Sequence, residues 1–261
     1  MTSRFVAFLD VLGFGDMVEN LDHERLHRIY VNLLVSNAAH SAAQGKFKVI
    51  DTVEGQRAIA DFSETRLRAL VVSDSVMLHS PDDSMKSFID ICAAVGKLLV
   101  SGFYSGLPMR GGIAHGPVSD FAGGSPSGEF AVHGLLGLPL VRAYQAEKDF
   151  AWAGCVVDDA CVRRYEQEVL QLTPTTPDIA TLDHLVSAGL LLLYPAPMKS
   201  GDSPLRWVIN WPRQNRGGVT DDAVLSAFSK HGKSIALDAV QRIVDNTMAF
   251  VARSRSHAAG S

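Results

Sequence analysis

Phe5-Val6-Ala7-Phe8-Leu9-Asp10-Val11-Leu12-Gly13-Phe14-Gly15-Asp16 decides how the rest of the chain is read. A short apolar run reads as a strand and ends on a carboxylate, Asp10. Gly13 and Gly15 permit a tight turn, and Asp16-Met17-Val18-Glu19 opens a helical pattern. A carboxylate at the mouth of an apolar strand sits where a metal can reach it. The N–H groups of a glycine turn and of a helix start leave donors free to face an anion. The same stretch equally admits a plain strand-loop-helix connection in which the aspartate only caps the helix.

The chain has 261 residues, room for one large domain or one domain with an elaboration. A hydrophobic content of 47% fits a globular protein. A membrane helix needs about 18 consecutive apolar residues; the longest run here, Leu190 to Tyr194, has the length of a strand. Met1-Thr2-Ser3-Arg4 leads straight into a strand, so no signal peptide is expected. A cytoplasmic protein without a membrane partner is the expectation. A net charge of −4 supplies no basic field, so nucleic acid is not an expected partner. A small anionic substrate stays open if a metal provides the positive charge. Cys92, Cys155 and Cys161 are widely spaced among apolar neighbours and read as reduced core thiols. The histidines show no zinc spacing, and His115 and His133 read as hydrogen-bonded structural residues.

Working outward, Leu21 to Ala43 has apolar residues at helical spacing, and Lys46 to Ile50 reads as a short strand. Asp51 to Glu64 is polar without clear period and is expected to be a loop. Arg68 to Leu78 reads as two short strands hinged at Ser73-Asp74-Ser75, a hairpin with Asp74 at its tip. Asp10 and Asp74 converge if their strands are neighbours, which lie only ~5 Å apart. Asp83 to Gly102 reads as an amphipathic helix, and Arg110-Gly-Gly-Ile-Ala-His-Gly116 as a strand with little side-chain bulk. Ser119 to Gly128 reads as a loop or hairpin tip. Pro139 opens a helix through Lys148, then a strand over 153–157 and a helix over 158–168. Thr173 to Pro177 reads as a linker. Beyond it come strands near Leu190–Tyr194 and Leu205–Asn210, one helix from about Ala223 to Arg253, and a disordered tail from His257.

Four segments in this order resemble the catalytic domain of the class III nucleotidyl cyclases. The family's Asp-Ile-x-Gly-Phe motif corresponds to Asp10-Val11-Leu12-Gly13-Phe14, and its Gly-Asp hairpin to Ser73-Asp74. Its Arg-x-Gly-Ile-x-x-Gly strand corresponds to Arg110 to Gly116, and its later helix to the segment with Gly137, Ala143 and Glu147. The resemblance covers about residues 4 to 160. It implies an α/β fold of the α+β type: a mixed, mainly antiparallel sheet flanked by helices, with a C-terminal strand and helix elaboration. Residues 1–172 form the catalytic domain in this reading, and 173–261 an extension packed on it. It also implies a head-to-tail homodimer with sites at the interface, and two divalent ions, Mn²⁺ or Mg²⁺, held by Asp10, Asp74 and the carbonyl of Val11. Gly13, Phe14 and Gly15 would cradle the β- and γ-phosphates.

The departures from the family pattern are informative. Leu70 and Gly134 stand where purine-selective members carry polar base-reading residues. This shifts the expectation toward a pyrimidine, with Arg66, Arg68 and Tyr144 as candidates at the base. Val141 and Gln145 stand at the positions of the family's Asn and transition-state Arg, and Arg142, one turn before Gln145, is the candidate replacement cation. Phe-Leu-Asp-Val-Leu-Gly-Phe, Ser-Asp-Ser and Ala-Tyr-Gln-Ala-Glu are similar to the bacterial Pycsar pyrimidine cyclases. That implies UTP or CTP as substrate, UTP favoured, and a cyclic product that activates a separate effector during phage infection. A degenerate cyclase domain that only senses a nucleotide remains the alternative of a different class.

Overall fold

The computed structural model describes residues 2–53, 55–63, 65–124, 131–172, 180–215 and 218–259. Thr2–Val11 forms β1, central in an eight-stranded sheet and hydrogen-bonded on both sides. Its alternation explains why: Phe5, Ala7, Leu9 and Val11 are buried, while Phe8 and Asp10 on the other face are half-buried. Arg68–Val72 (β4) and Ser75–His79 (β5) form the hairpin on one flank. Met109–Gly124 (β6) lies on the other flank and pairs in its distal half with Ala131–Leu136 (β7). Gly154–Val157 (β8) joins β6 in parallel, and Leu205–Ile209 (β10) and Leu191–Pro195 (β9) complete the order β4-β5-β1-β6-β8-β10-β9. Every other pairing is antiparallel, so the sheet is mixed and mainly antiparallel.

Met85–Ser105 (α4) covers one face. Its 21 residues suffice by length and composition to cross a bilayer, but here Phe88, Ile91, Val95 and Leu98 are fully buried under the sheet. Ser84 caps its start by accepting from the Ser87 amide, and left-handed Gly106 ends it. Leu138–Asp149 (α5) lies on the opposite face. It approaches β6 so closely that a Cβ on Gly112 would fall 2.6 Å from the Ala146 methyl carbon. This is the physical use of the small residues between Arg110 and Gly116.

Phe14–Asn20 (α1), His23–Ile29 (α2) and Ser36–Ala42 (α3) follow β1, with a π-helical stretch at Tyr30–Val35 between the last two. Asp159–Leu172 (α6) follows β8, and Leu182–Ser187 (α7) precedes β9. Asp221–Ser229 (α8) and Asp238–Ala259 (α9) close the chain. α9 inserts Phe250 between Trp152 and Tyr194, with ring centroids 4.4 and 4.9 Å away. The C-terminal segment therefore shares one sheet and one core with the rest.

Four expectations need correction. Most of the segment expected to be a loop is strand: Phe47–Thr52 (β2) and Gly55–Ala60 (β3) form a separate hairpin, with only Ala60 buried, while 61–63 has no regular structure. Exposure on both faces removed the apolar alternation that marks a strand. Ser119 to Gly124 continues β6 as strand, whereas 125–128 lies outside the described residues. The single helix from Ala223 to Arg253 is α8 and α9, broken at Lys230 to Leu237, where His231 and Gly232 adopt φ of 63° and 77°. The tail from His257 is helical through Ala259, and the last two residues lie outside the described set. The linker at 173–177 also lies outside the described residues. All three cysteines are free and buried, and burial raises each thiol above its ordinary range. His115 is hydrogen-bonded to Asp83 at 3.1 Å, beside Arg164; His133 lies in β7, and its side chain is outside the described set.

Candidate active site at the end of the first strand

β1 ends between two partners that fix its register. Asp10 lies opposite Ser75 on β5 and opposite Arg110 on β6. The Val11 amide donates to the carbonyl of Asp74 at 3.1 Å, and the Leu12 amide to the carbonyl of Pro108 at 2.8 Å. Two aspartates 64 positions apart in sequence thus share one end of the sheet. Ser75 Oγ donates to Asp10 Oδ1 at 2.9 Å. Burial pushes the Asp10 carboxyl up to about 6; the Ser75 hydroxyl opposes this, and the neighbouring Asp74 carboxylate adds to it. Desolvated and beside a like charge, this acid gains from any cation that reaches it.

Below Asp10, Arg110 and Glu147 form a buried ion pair, Nη2 to Oε1, that ties β6 to α5. The pair keeps the Arg110 charge largely committed within the core. Ser75 and Glu147 were not among the sequence candidates. A lone arginine in a Gly-rich apolar strand is the signal that calls for a buried acid nearby.

Gly13 occupies the left-handed region, φ 77°, which turns the chain from β1 into α1. Gly15 lies inside α1, with nothing within 4 Å of the space beside its Cα where a Cβ would stand. The stem of Lys233 packs on Gly13: a Cβ there would fall 2.7 Å from the lysine Cδ. Lys233 is buried, and its Nζ donates to the carbonyls of Gly106 and Ala227 at 2.7 and 2.9 Å. Burial pushes its ammonium down to about 7, with nearby Asp16 opposing. Ser234 N–H donates to Asp16 Oδ2 at 3.3 Å, and Asn20 Nδ2 to the Gly232 carbonyl at 3.0 Å. The loop between α8 and α9 therefore braces the glycine turn.

The other candidates are spread along the face that carries α5. Leu70 lies in β4 opposite Met77, half-buried. Tyr144 meets Phe8 edge-on at 5.3 Å, two residues before Asp10, and Lys148 Nζ sits 4.8 Å from the tyrosine ring centroid. Arg142 is not grouped with Asp10 and Asp74: it lines a cavity of about 340 Å³ with Ala114, Gln145, Asp158 and Arg206. Gly134 leaves its space to Phe121, whose ring Cζ lies 2.0 Å from the position of the missing Cβ. Phe121 is 52% exposed and offers an aromatic face at that position. Nothing local to Phe121 in sequence marks it; the β6–β7 pairing brings it there.

Among the described residues no cluster of three or more His, Cys, Asp or Glu side chains could hold a metal ion. The donors at the end of β1 are two carboxylates and main-chain carbonyls. This set fits Mg²⁺ or Mn²⁺, hard ions that take one or two carboxylates and complete their shells with water and substrate phosphate oxygens.

No protein-family model matches the chain, and no curated protein matches it. Among solved structures it is similar to the guanylyl cyclase Cya2, with 12% identity over 79% of this chain and 90% of that chain and a TM-score of 0.44. It is also similar to the adenylyl cyclase CyaB from P. aeruginosa, with 14% identity over 79% and 93% of the two chains and a TM-score of 0.44. A third is the guanylate cyclase domain of RhGC from Catenaria anguillulae in complex with GTP, at 12% identity, 79% and 96% coverage and a TM-score of 0.46. Likeness at this level assigns no chemistry to this chain.

Proposed function

We propose that this chain is a metal-dependent pyrimidine nucleotide cyclase that converts UTP to 3′,5′-cyclic UMP and pyrophosphate, as a signal in bacterial antiphage defence read by a separate effector protein. The observation that carries the cyclase reading is the meeting of Asp10 and Asp74 at one sheet end, directly before a left-handed glycine turn. The pyrimidine and defence readings rest on the sequence resemblance.

Asp10, Asp74 and the Val11 carbonyl would hold Mg²⁺ or Mn²⁺. Such ions supply charge stabilisation at the attacking and leaving oxygens of a phosphoryl displacement. The ribose 3′-oxygen forms its bond to the α-phosphorus as the bond to the pyrophosphate oxygen breaks, and the 3′-hydroxyl proton passes to solvent. Main-chain N–H groups at Gly13, Phe14 and Gly15 would orient the β- and γ-phosphates. Arg142, in a different cavity of the same chain, would serve a site across a head-to-tail homodimer. Exposed Leu138, Val141 and Tyr144 on α5, with Phe121 and Leu136 on the β6–β7 arm, supply apolar surface for that contact. Phe121 would stack on the base, and Leu70 would pack beside it.

Incubation of the purified chain with each of the four NTPs and Mn²⁺ tests the reading. Cyclic UMP plus pyrophosphate from UTP is the expected outcome. A preference for CTP would move the assignment to a cytidylate cyclase, and no cyclic product from any NTP would overturn the reading. Val141 and Gln145, in place of the family's Asn and Arg, favour the second reading of a nucleotide sensor. Tight NTP binding without turnover would select it.

A further inference from the structure

At the opposite end of β1 the charge reverses. Arg4, Arg66, Arg68 and His79 line a second cavity of about 340 Å³ with Thr65 and Pro81. Among the described residues no carboxylate lines it. Burial lowers the His79 imidazole, so the charge is that of the three arginines, and the acids that balance them stand behind them. Arg4 and Arg68 both donate to one oxygen of Asp120, at 3.2 and 3.0 Å, and His79 Nε2 lies 3.8 Å from the same oxygen. Arg66 donates to Asp82 at 2.5 Å, and Asp82 is held in turn by the Ser84 and Ser87 hydroxyls. Two guanidiniums therefore share a single carboxylate, which leaves local positive charge. Arg4 is also short of acceptors, since its Nε is buried without a hydrogen-bond partner; that atom is closed to a cavity occupant, so only the outer nitrogens of its guanidinium can meet an anion.

We propose that this cavity binds a phosphate group, carried by inorganic phosphate, by pyrophosphate or by a nucleotide. Guanidinium groups match the paired oxygens of a phosphate, so three converging on one cavity suit a dianion better than chloride. Arg4 and Asp10 are six residues apart on one strand, about 20 Å at ~3.3 Å per residue, so within one chain this site does not coincide with the aspartate pair. The inference goes beyond the cyclase reading and does not depend on it.

The test uses the full chain in EDTA, which removes metal-dependent binding at Asp10 and Asp74. Inorganic phosphate, pyrophosphate and UMP are titrated by calorimetry at one chloride-matched ionic strength. Wild type is compared with Arg68→Ala and with Arg163→Ala, a change at an exposed arginine on α6. Saturable binding by wild type and Arg163→Ala, weakened at least tenfold in Arg68→Ala, is the expected result. Arg68 is largely exposed, so its loss leaves the core intact; Arg66→Ala provides a second variant with the same expectation. UMP binding tighter than phosphate would identify a nucleotide as the carrier; equal affinity would show that the phosphate group suffices. Affinity in Arg68→Ala within tenfold of wild type, or no binding by wild type up to tens of millimolar anion, would overturn the proposal. Failure of the cyclase reading would show instead as absent turnover with NTP and Mn²⁺, a separate measurement.

Discussion

The two ends of β1 place aspartates in opposite circumstances. Asp10 has one hydroxyl donor, a neighbouring carboxylate and substantial burial, and its affinity for a proton rises. Asp120 has a side chain only 7% exposed, yet Arg4, Arg68 and His79 surround it and its carboxyl is held below the ordinary range. Burial alone therefore does not decide what a carboxylate does; the donors around it do. The acid at one end is short of positive charge and can accept a cation. The acid at the other end is saturated and acts as structural ballast for arginines that face outward.

The largest expected effect breaks the first end. Asp10→Ala or Asp74→Ala should lower cyclic nucleotide formation at least ~10³-fold, read by chromatography of the product, if the acids hold the ions that stabilise the displacement. Retained turnover in either variant would remove the cyclase mechanism. Next, Asp120→Asn should lower stability by about 1–2 kcal/mol in urea unfolding, because it leaves partly buried Arg4 without its carboxylate, while exposed Arg68 turns to water. Asp10→Asn should do the reverse at pH 7.5 without metal, raising stability by ~1 kcal/mol or less after allowance for its partial exposure. Equal signs for the two substitutions would erase the contrast between the ends.

Gly13→Ala should cost about 1–3 kcal/mol, since it forces a side chain into left-handed backbone and against the Lys233 stem. The last effect is a slope. Lys233 titrates near 7 in the fold and at its ordinary higher value when unfolded, so the unfolded chain binds the extra proton between those values. Stability should therefore rise with pH above 7 by at most ~1.4 kcal/mol per unit from this group. The three buried thiols push the opposite way above about pH 8.5, so the measurement is the difference between wild type and Lys233→Met, in which the cysteines cancel.

The sheet centre was legible because its residues carry their own signals. β1 has apolar alternation ending at an acid, the β4–β5 hairpin has a small polar triplet at its hinge, and α4 has a wide apolar stripe between a Ser cap and Gly106. What escaped was set by distant partners. β2 and β3 are exposed on both faces and show no period. Gly232 is the one local sign of the break between α8 and α9, and its seal is distant: His231 Nε2 donates to the carbonyl of Ser105 at 2.6 Å, a contact 126 positions away. At the candidate site the two aspartates could be named from pattern. Ser75, Glu147 and Lys233 reach it through register, helix packing and a C-terminal loop, which only the folded chain brings together.

That loop carries a practical consequence. Lys230, His231 and Lys233 each donate to one of three successive carbonyls, Tyr104, Ser105 and Gly106, where α4 ends. Cutting the chain after Leu172 would strip the cations from that helix end, bare the edge of β8 where β10 pairs, and release the wedge behind Gly13. A trimmed version of this protein would be a different object: an adhesive sheet with a slack doorway, and no smaller working unit.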